Sequence, residues 1–312
     1  MSQAGFAKAV DVQLRSILLA TDFSPASERA LRHAISIARF FNSRLYLVHV
    51  VSSLGLTMVG PEAISTSTSL AQRDAALMER KLILSGDLRE LQHQVIVRAG
   101  EVWEELQNVL RHEHIDLVVI GTHSRTGIMK LVLGSVAEEI FRHACCPVLT
   151  VGPHSPAQAA LPTPKEARPL LFPTDFSDAS MAALPYAVSF ANRIHTQLVL
   201  VHLVPNVPPS EGTRWYSADD VMRMRKEAQV AASQRLEQLT VNAGLEIKPL
   251  CIAKIADPTE GILRAAKALH VGCIIMGLHR KKHVDLASHL LWSTAYEVVC
   301  GADCSVLTVR SS

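Results

Sequence analysis

Leu19-Ala20-Thr21-Asp22-Phe23-Ser24 reappears as Phe172-Pro173-Thr174-Asp175-Phe176-Ser177. The rest of the chain follows suit. His49-Val50 returns as His202-Leu203, Gly121-Thr122-His123 as Gly277-Leu278-His279, and Cys146-Pro147-Val148-Leu149-Thr150-Val151 as Cys304-Ser305-Val306-Leu307-Thr308-Val309. The offsets of 153, 153, 156 and 158 residues only grow along the chain. A period this long, with small insertions in the second copy, is a domain duplication and not a solenoid repeat.

Within the first copy, short apolar runs alternate with helical patterns. Ser16–Ala20 is a buried-strand run that ends in Thr-Asp. Ser24 is a good N-cap, Pro25 suits the first helical position, and the apolar spacing carries a helix to about Phe41. Arg44–Val50, Gln94–Ala99, Ile115–Ile120 and Pro147–Val151 read as further strands. Ala71–Leu91, Val102–His112 and Ser135–His143 read as helices, with a long Ser/Thr/Gly-rich loop over Ser52–Ser69. In the second copy, strands are expected at Leu170–Phe172, Leu198–Val204, Ile247–Ala253, Cys273–Met276 and Ser305–Arg310. Helices are expected from Ser177 and over Ala218–Val241, Thr259–Leu269 and Ser293–Cys300. Continuous apolar strands alternating with helices imply a parallel, doubly wound α/β sheet, with ligand sites at the carboxyl ends of the strands. The boundaries that follow are 1–152 for the first domain, a linker with five prolines over 153–169, and 170–312 for the second.

At 312 residues and 48% hydrophobic, each copy has enough chain to bury its own core. A formal net charge of +2 gives no electrostatic case for nucleic acid or an anionic membrane. The N-terminal stretch lacks a hydrophobic signal core and no apolar run reaches transmembrane length, so the expected address is the cytoplasm. The six cysteines form no zinc-finger spacing and are expected to be reduced packing residues. His279-x3-His283 has helical ligand spacing but sits in a basic stretch, and is expected to be bland.

The main candidate for chemistry is Gly121-Thr122-His123-Ser124-Arg125-Thr126-Gly127 through Gly134-Ser135-Val136. It leaves a buried strand and enters a helix, whose first N–H groups are unbonded donors at the positive end of the dipole and suit a phosphate. A second reading fits the same residues: Ser135-x-x-Glu138 is a capping box that would satisfy those donors internally. Asp22 lies where a ribose hydroxyl acceptor would sit in such a sheet, or else simply closes a turn toward Ser24. No Walker motif, G-x-G-x-x-G, G-x-S-x-G or H-E-x-x-H is present.

These residues resemble the universal stress protein family. Asp22 after the first strand, Gly121-x-x-Ser124-x9-Gly134-Ser135 and the Cys146–Val151 closing strand fill the places of the family pattern, in nearly full-length copies. The resemblance implies tandem domains of the adenine nucleotide alpha hydrolase-like kind, each a five-stranded parallel sheet with helices on both faces. It implies ATP, with or without Mg2+, in the first copy. Ala20, Thr21, Asp22, Val50 and Val102 would hold adenine and ribose. Gly121, His123, Ser124, Arg125, Gly134, Ser135 and Val136 would take the phosphate side. Ser124 departs from the family's glycine; it still presents an N–H and adds a hydroxyl. The second copy departs further. Arg280 stands at the second glycine, Trp292-Ser293 replaces Gly-Ser, and the loop is two residues longer. That copy is therefore expected to be a degenerate scaffold that binds no nucleotide. A purely structural interaction module without nucleotide is the alternative. A slow ATPase assisted by Asp22 or His123 is the third reading, since nothing supplies a clear base or metal-ligand pair. The closing strands Val148–Val151 and Val306–Val309 are expected to pair the copies within the chain, as apolar edges invite pairing. A homodimer is the alternative. Small-angle scattering should show a single separation between the domains, and variable separation would mean pairing between chains.

Overall fold

The computed structural model describes residues 12–52, 61–122, 133–153, 155, 167–206, 217–241, 243–278 and 294–311. It divides into two compact units, Gln13–Leu161 and Pro162–Ser312 with Met1–Val12. The first unit runs β1 (Ser16–Ala20), α1 (Pro25–Phe41), β2 (Arg44–Ser52), α2 (Pro61–Ser85), β3 (His93–Gly100), α3 (Val102–His112), β4 (Leu117–Gly121), α4 (Ser135–His143) and β5 (Val148–Val151). The second runs β6 (Leu170–Pro173), α5 (Asp178–Arg193), β7 (Leu198–Val204), α6 (Ala218–Val241), β8 (Leu250–Ile255), α7 (Pro258–Ala268), β9 (Cys273–Leu278), α8 (Thr294–Gly301) and β10 (Ser305–Arg310). Within the first unit the strand order is β3-β2-β1-β4-β5, and within the second β8-β7-β6-β9-β10, all parallel. Each is a doubly wound α/β domain with the same winding.

The strands are the core. Ile17, Leu18, Leu19, Leu117, Val118 and Val119 are buried, and these two strands pair Ile17 with Leu117 and Leu19 with Val119. Each such Leu or Ile contributes roughly 1.5–3 kcal/mol of transfer free energy. Helix α1 begins because Ser24 accepts the Ser27 N–H and Pro25 presets the first turn. It buries Ala30, Ala34, Ile37 and Ala38, and stops at Asn42, which turns left-handed at φ 55°. The chain order reverses between β1 and β4, so the carboxyl ends of these two strands open a crevice for a ligand.

Two expectations need correction. Residues 61–69 are helical, so α2 starts within the stretch read as loop and ends at Ser85 instead of Leu91. Its Ser/Thr content hid it. Thr66 and Thr68 donate their hydroxyls to the carbonyls of Glu62 and Ile64, both at 2.8 Å, which lets these residues sit inside a helix. Gly86, at φ 80°, then ends it. Strand β8 begins three residues later than expected, because Gln197 takes the Lys248 carbonyl and pairing with β7 starts at Leu250.

Candidate functional site

The same turn is built at the end of β1 and of β6. Thr21 Oγ1 accepts the Phe23 N–H at 3.1 Å, and Thr174 Oγ1 accepts that of Phe176 at 2.9 Å. Asp22 and Asp175 accept the N–H groups of Ser24 and Ser177, both at 3.0 Å. Both phenylalanines adopt positive φ, 59° and 62°, a region that L side chains seldom occupy. A histidine from the next strand braces each turn. His49 Nδ1 lies 2.7 Å from the Thr21 carbonyl, His202 Nδ1 lies 2.8 Å from that of Thr174, and the rings lie against Phe23 and Phe176 at 4.6 and 4.7 Å. A carbonyl oxygen only accepts, so Nδ1 carries the proton and Nε2 is the acceptor in the neutral ring.

Around the first of these turns lies a cavity of about 260 Å³ at the β1–β4 crevice. Ala20, Thr21, Asp22, Val50, Val102, Gly121, Gly134, Ser135 and Val136 all line it. Nine of the twelve residues singled out from sequence thus come together in one place. His123, Ser124 and Arg125 lie outside the described residues. The sequence reading passed over Ser27, His49, Leu106 and Ile140, which also line the cavity. The signal for His49 was available: it repeats at the same offset as the Thr-Asp turn.

Helix α4 decides between the two readings of the Gly-Ser start. Gly134, not Ser135, is the N-cap, and it makes no side-chain cap hydrogen bond. Glu138 turns the other way and holds Arg142, with Oε1 2.6 and 3.0 Å from the guanidinium nitrogens. No capping box forms. The first intrahelical bond runs from the Glu138 N–H to the Gly134 carbonyl at 2.8 Å, so the N–H groups of Ser135, Val136 and Ala137 precede it, and all three residues line the cavity. Glu101, ahead of α3, also makes no side-chain cap.

The two glycines differ in kind. A Cβ on Gly121 would lie 2.4 Å from the Ala26 carbonyl oxygen, so this glycine is required by the close passage of α1 over β4. Gly277 meets Ala179 in the same way at 2.0 Å. Among the described residues nothing lies within 4 Å of a Cβ placed on Gly134, and its φ of −63° is ordinary, so none of them calls for a glycine there.

A second cavity, about 350 Å³, lies at the equivalent place in the other unit, lined among others by Thr174, Asp175, His202, Pro258, Met276 and Gly277. The sequence differences that mark this copy as degenerate, Arg280 and Trp292-Ser293, lie outside the described residues, as does His279-x3-His283. Asp175 is pulled against a burial cost by hydrogen bonds from Ser177 and Ser180, which hold its carboxyl below the usual carboxylate range. Its folded pKa is depressed, so the stability it contributes is present above the unfolded value and is lost as pH falls through the folded value. Asp175→Asn is therefore expected to lower the urea midpoint near neutrality, where the carboxylate's contribution is fully present, and to leave it unchanged at pH values below the folded pKa, so that the acid limb of stability flattens.

All six cysteines are free thiols. Burial pushes Cys146 and Cys304 up to about 12 and Cys273 higher still, so these three pack as protonated groups. Among the described residues, no three His, Cys, Asp or Glu side chains gather as a metal cage, and no helix is long and apolar enough to cross a membrane.

The sequence model of the Universal stress protein family matches residues 13–152 and 166–310. The chain belongs to the universal stress protein family. It carries the family's domain twice in tandem. A universal stress protein of Methanocaldococcus jannaschii, MJ0531, is 30% identical over 140 residues, covering 44% of this chain and 81% of the relative. The crystal structure of a universal stress protein from Archaeoglobus fulgidus covers 96% of this chain and 100% of its own at a TM-score of 0.71 and 19% identity, a likeness of fold. A universal stress protein solved in complex with cAMP is 19% identical over 46% of this chain and 98% of its own, at a TM-score of 0.36.

Proposed function

We propose that the first copy binds ATP and that the chain acts as a cytoplasmic stress-response or regulatory protein with at most weak hydrolysis. The observation that carries the reading is the uncapped start of α4, opening into the same cavity as Asp22. Helix N–H donors at one end suit phosphate oxygens. A carboxylate at the other suits the donor hydroxyls of a ribose. Val50, Val102, Leu106 and Ile120 supply apolar wall for a base. Mg2+ would be held by the phosphates and water, in keeping with its reluctance to shed its hydration shell and with the lack of a carboxylate cluster among the described residues. His49 lines the cavity, but its Nδ1 is held by the Thr21 backbone carbonyl and not by a carboxylate that would orient it as a general base, which is the ground for expecting little turnover.

Titration calorimetry of the full chain with ATP and magnesium is expected to show about one phosphate-dependent site per chain, since the starts of α3 and α4, both without a side-chain cap, open into one cavity, and the second copy has Trp292 in the place of Gly134. Two equivalent sites, or none, would sink the proposal. The interaction-module reading predicts none.

A further inference from the structure

We propose that His49 is a positioning residue: its Nδ1–H, reaching across from β2, aligns the Asp22 carboxylate with the ribose of the bound nucleotide. The inference rests on the ATP site proposed for the first copy and adds how that site tells a ribose from a sugar without hydroxyls.

The β1–β2 ladder ends at this point. Ala20 pairs with Val48, and the Thr21 N–H still donates to the Val48 carbonyl at 2.9 Å. The chain then turns away toward α1, and a side chain takes the Thr21 carbonyl: His49 donates to it through Nδ1 at 2.7 Å. The histidine thus extends the pairing by one step beyond the place where the backbone of β1 leaves the sheet.

Asp22 sits between the two residues that His49 touches. On one side is Thr21, held by the hydrogen bond; on the other is Phe23, whose ring centroid lies 4.6 Å from that of the imidazole. Because a peptide unit is planar, fixing the Thr21 carbonyl also fixes the Asp22 N–H and Cα. Asp22 is itself exposed, and Phe23 holds a φ of 59°, a conformation that persists only where neighbours enforce it. Thr21 Oγ1 closes the turn, accepting the Phe23 N–H at 3.1 Å and donating to Ser27 Oγ at 3.2 Å. Hydrogen bonds weaken steeply when bent, so a carboxylate serves the hydroxyls of a ribose only if the backbone beneath it is held at one angle.

The second copy carries the same brace and supplies the control. The Thr174 N–H donates to the Val201 carbonyl at 2.9 Å, His202 Nδ1 lies 2.8 Å from the Thr174 carbonyl, and Phe176, at φ 62°, lies 4.7 Å from the His202 ring. Tryptophan stands at position 292 in the place of Gly134, and ATP is not expected there. A substitution at His202 therefore reads what the brace does for the fold, and the same substitution at His49 reads that together with the alignment of Asp22.

The test uses the full chain, with calorimetry of ATP and of 2′,3′-dideoxy-ATP, both with magnesium, and a urea melt of each variant. His49→Phe keeps a flat ring and offers no donor. It is expected to weaken ATP by about tenfold or more and to bring the preference for ATP over the dideoxy analogue close to one. His49→Asn places an amide N–H at the same reach from the backbone and should recover most of both losses. His202→Phe should lower the urea midpoint of its own copy about as much as His49→Phe lowers that of the first, with ATP affinity and preference as in the parent. If His49→Phe does not fold, His49→Gln, whose amide sits one bond too far out, is expected to lose the same preference. A preference for ATP that survives in the folded Phe or Gln variant, an Asn variant as impaired as Phe, or an equal loss of ATP in His202→Phe would each overturn the inference. Amide hydrogen exchange reads the brace without nucleotide: the Ser24 N–H, bonded to Asp22 Oδ1 at 3.0 Å, should exchange about tenfold faster or more in His49→Phe, and unchanged exchange would also overturn it. A parent chain that binds no ATP would remove the proposed function, and the exchange result would then decide the brace alone.

Discussion

Gly134→Trp is expected to weaken ATP binding to the full chain by at least a hundredfold while the denaturation midpoint stays where it is. The side chain would enter the space in front of the Ser135 and Val136 N–H groups. Hydrogen bonds to a charged group contribute roughly 1.5–3 kcal/mol each, so losing two of them exceeds the roughly 2.7 kcal/mol that a hundredfold change requires. Folding should tolerate the change because no described residue lies within 4 Å of a Cβ at this position and the backbone is in an ordinary extended conformation. Gly134→Ala is the control: folded, and close to the parent in affinity. Calorimetry and a urea melt on the same preparations settle it. Unchanged affinity in a folded Trp variant would mean that the phosphates lie elsewhere.

Gly121→Ala should show the opposite pattern. One methyl group would sit 2.4 Å from the Ala26 carbonyl oxygen and 2.6 Å from its carbon, both backbone atoms in the first turn of α1. Neither can swing aside, so α1 must shift bodily off β4, at a cost of roughly 3 kcal/mol, the upper end of ordinary overpacking. The unfolding transition assigned to residues 13–152 should move to lower urea, and Gly277→Ala should do the same for the other copy, where Ala179 is in the way. A midpoint indistinguishable from that of the parent chain would show that the helix has slack here. Ligand affinity would also fall in Gly121→Ala, but as a consequence of moving Ser27 and the Asp22 turn.

The contrast explains what could and could not be read from sequence. Helices whose ends carry their own chemistry were legible: Ser24-Pro25 opens α1, Ser177 opens α5, and α3, α4 and α6 follow their apolar spacing. The winding of the domains followed from strand–helix alternation, and the nine described candidate residues lie around one cavity. The start of α2 was illegible because its serines and threonines suit loops as well as helices, and only their bonds to the preceding turn tell the two apart. Gly121 was read as a place for ligand approach, whereas its cause is a helix crossing a strand, a contact between residues far apart in the chain. The cap of α4 was placed one residue late. Glu138 had two available partners, the backbone behind it and Arg142 ahead, and the short contact in which two Arg142 nitrogens donate to its Oε1 won. His49 was overlooked because a lone histidine near a strand end has no local signature; its brace on Thr21 and Phe23 exists only once β1 and β2 are side by side.

The open space at Gly134 also says something about how such a chain can change over generations. A duplicated gene leaves one copy at liberty to drift, but only along directions that keep the product folded. At Gly121 nearly every substitution meets backbone, so drift there is purged with the protein that carries it. At Gly134 a substitution is expected to alter what the crevice accepts and to leave stability alone, which would make it a neutral gateway to new ligand specificity. The second copy has glycine at 277 and tryptophan at 292. It has kept the position that architecture polices and given up the one that it does not.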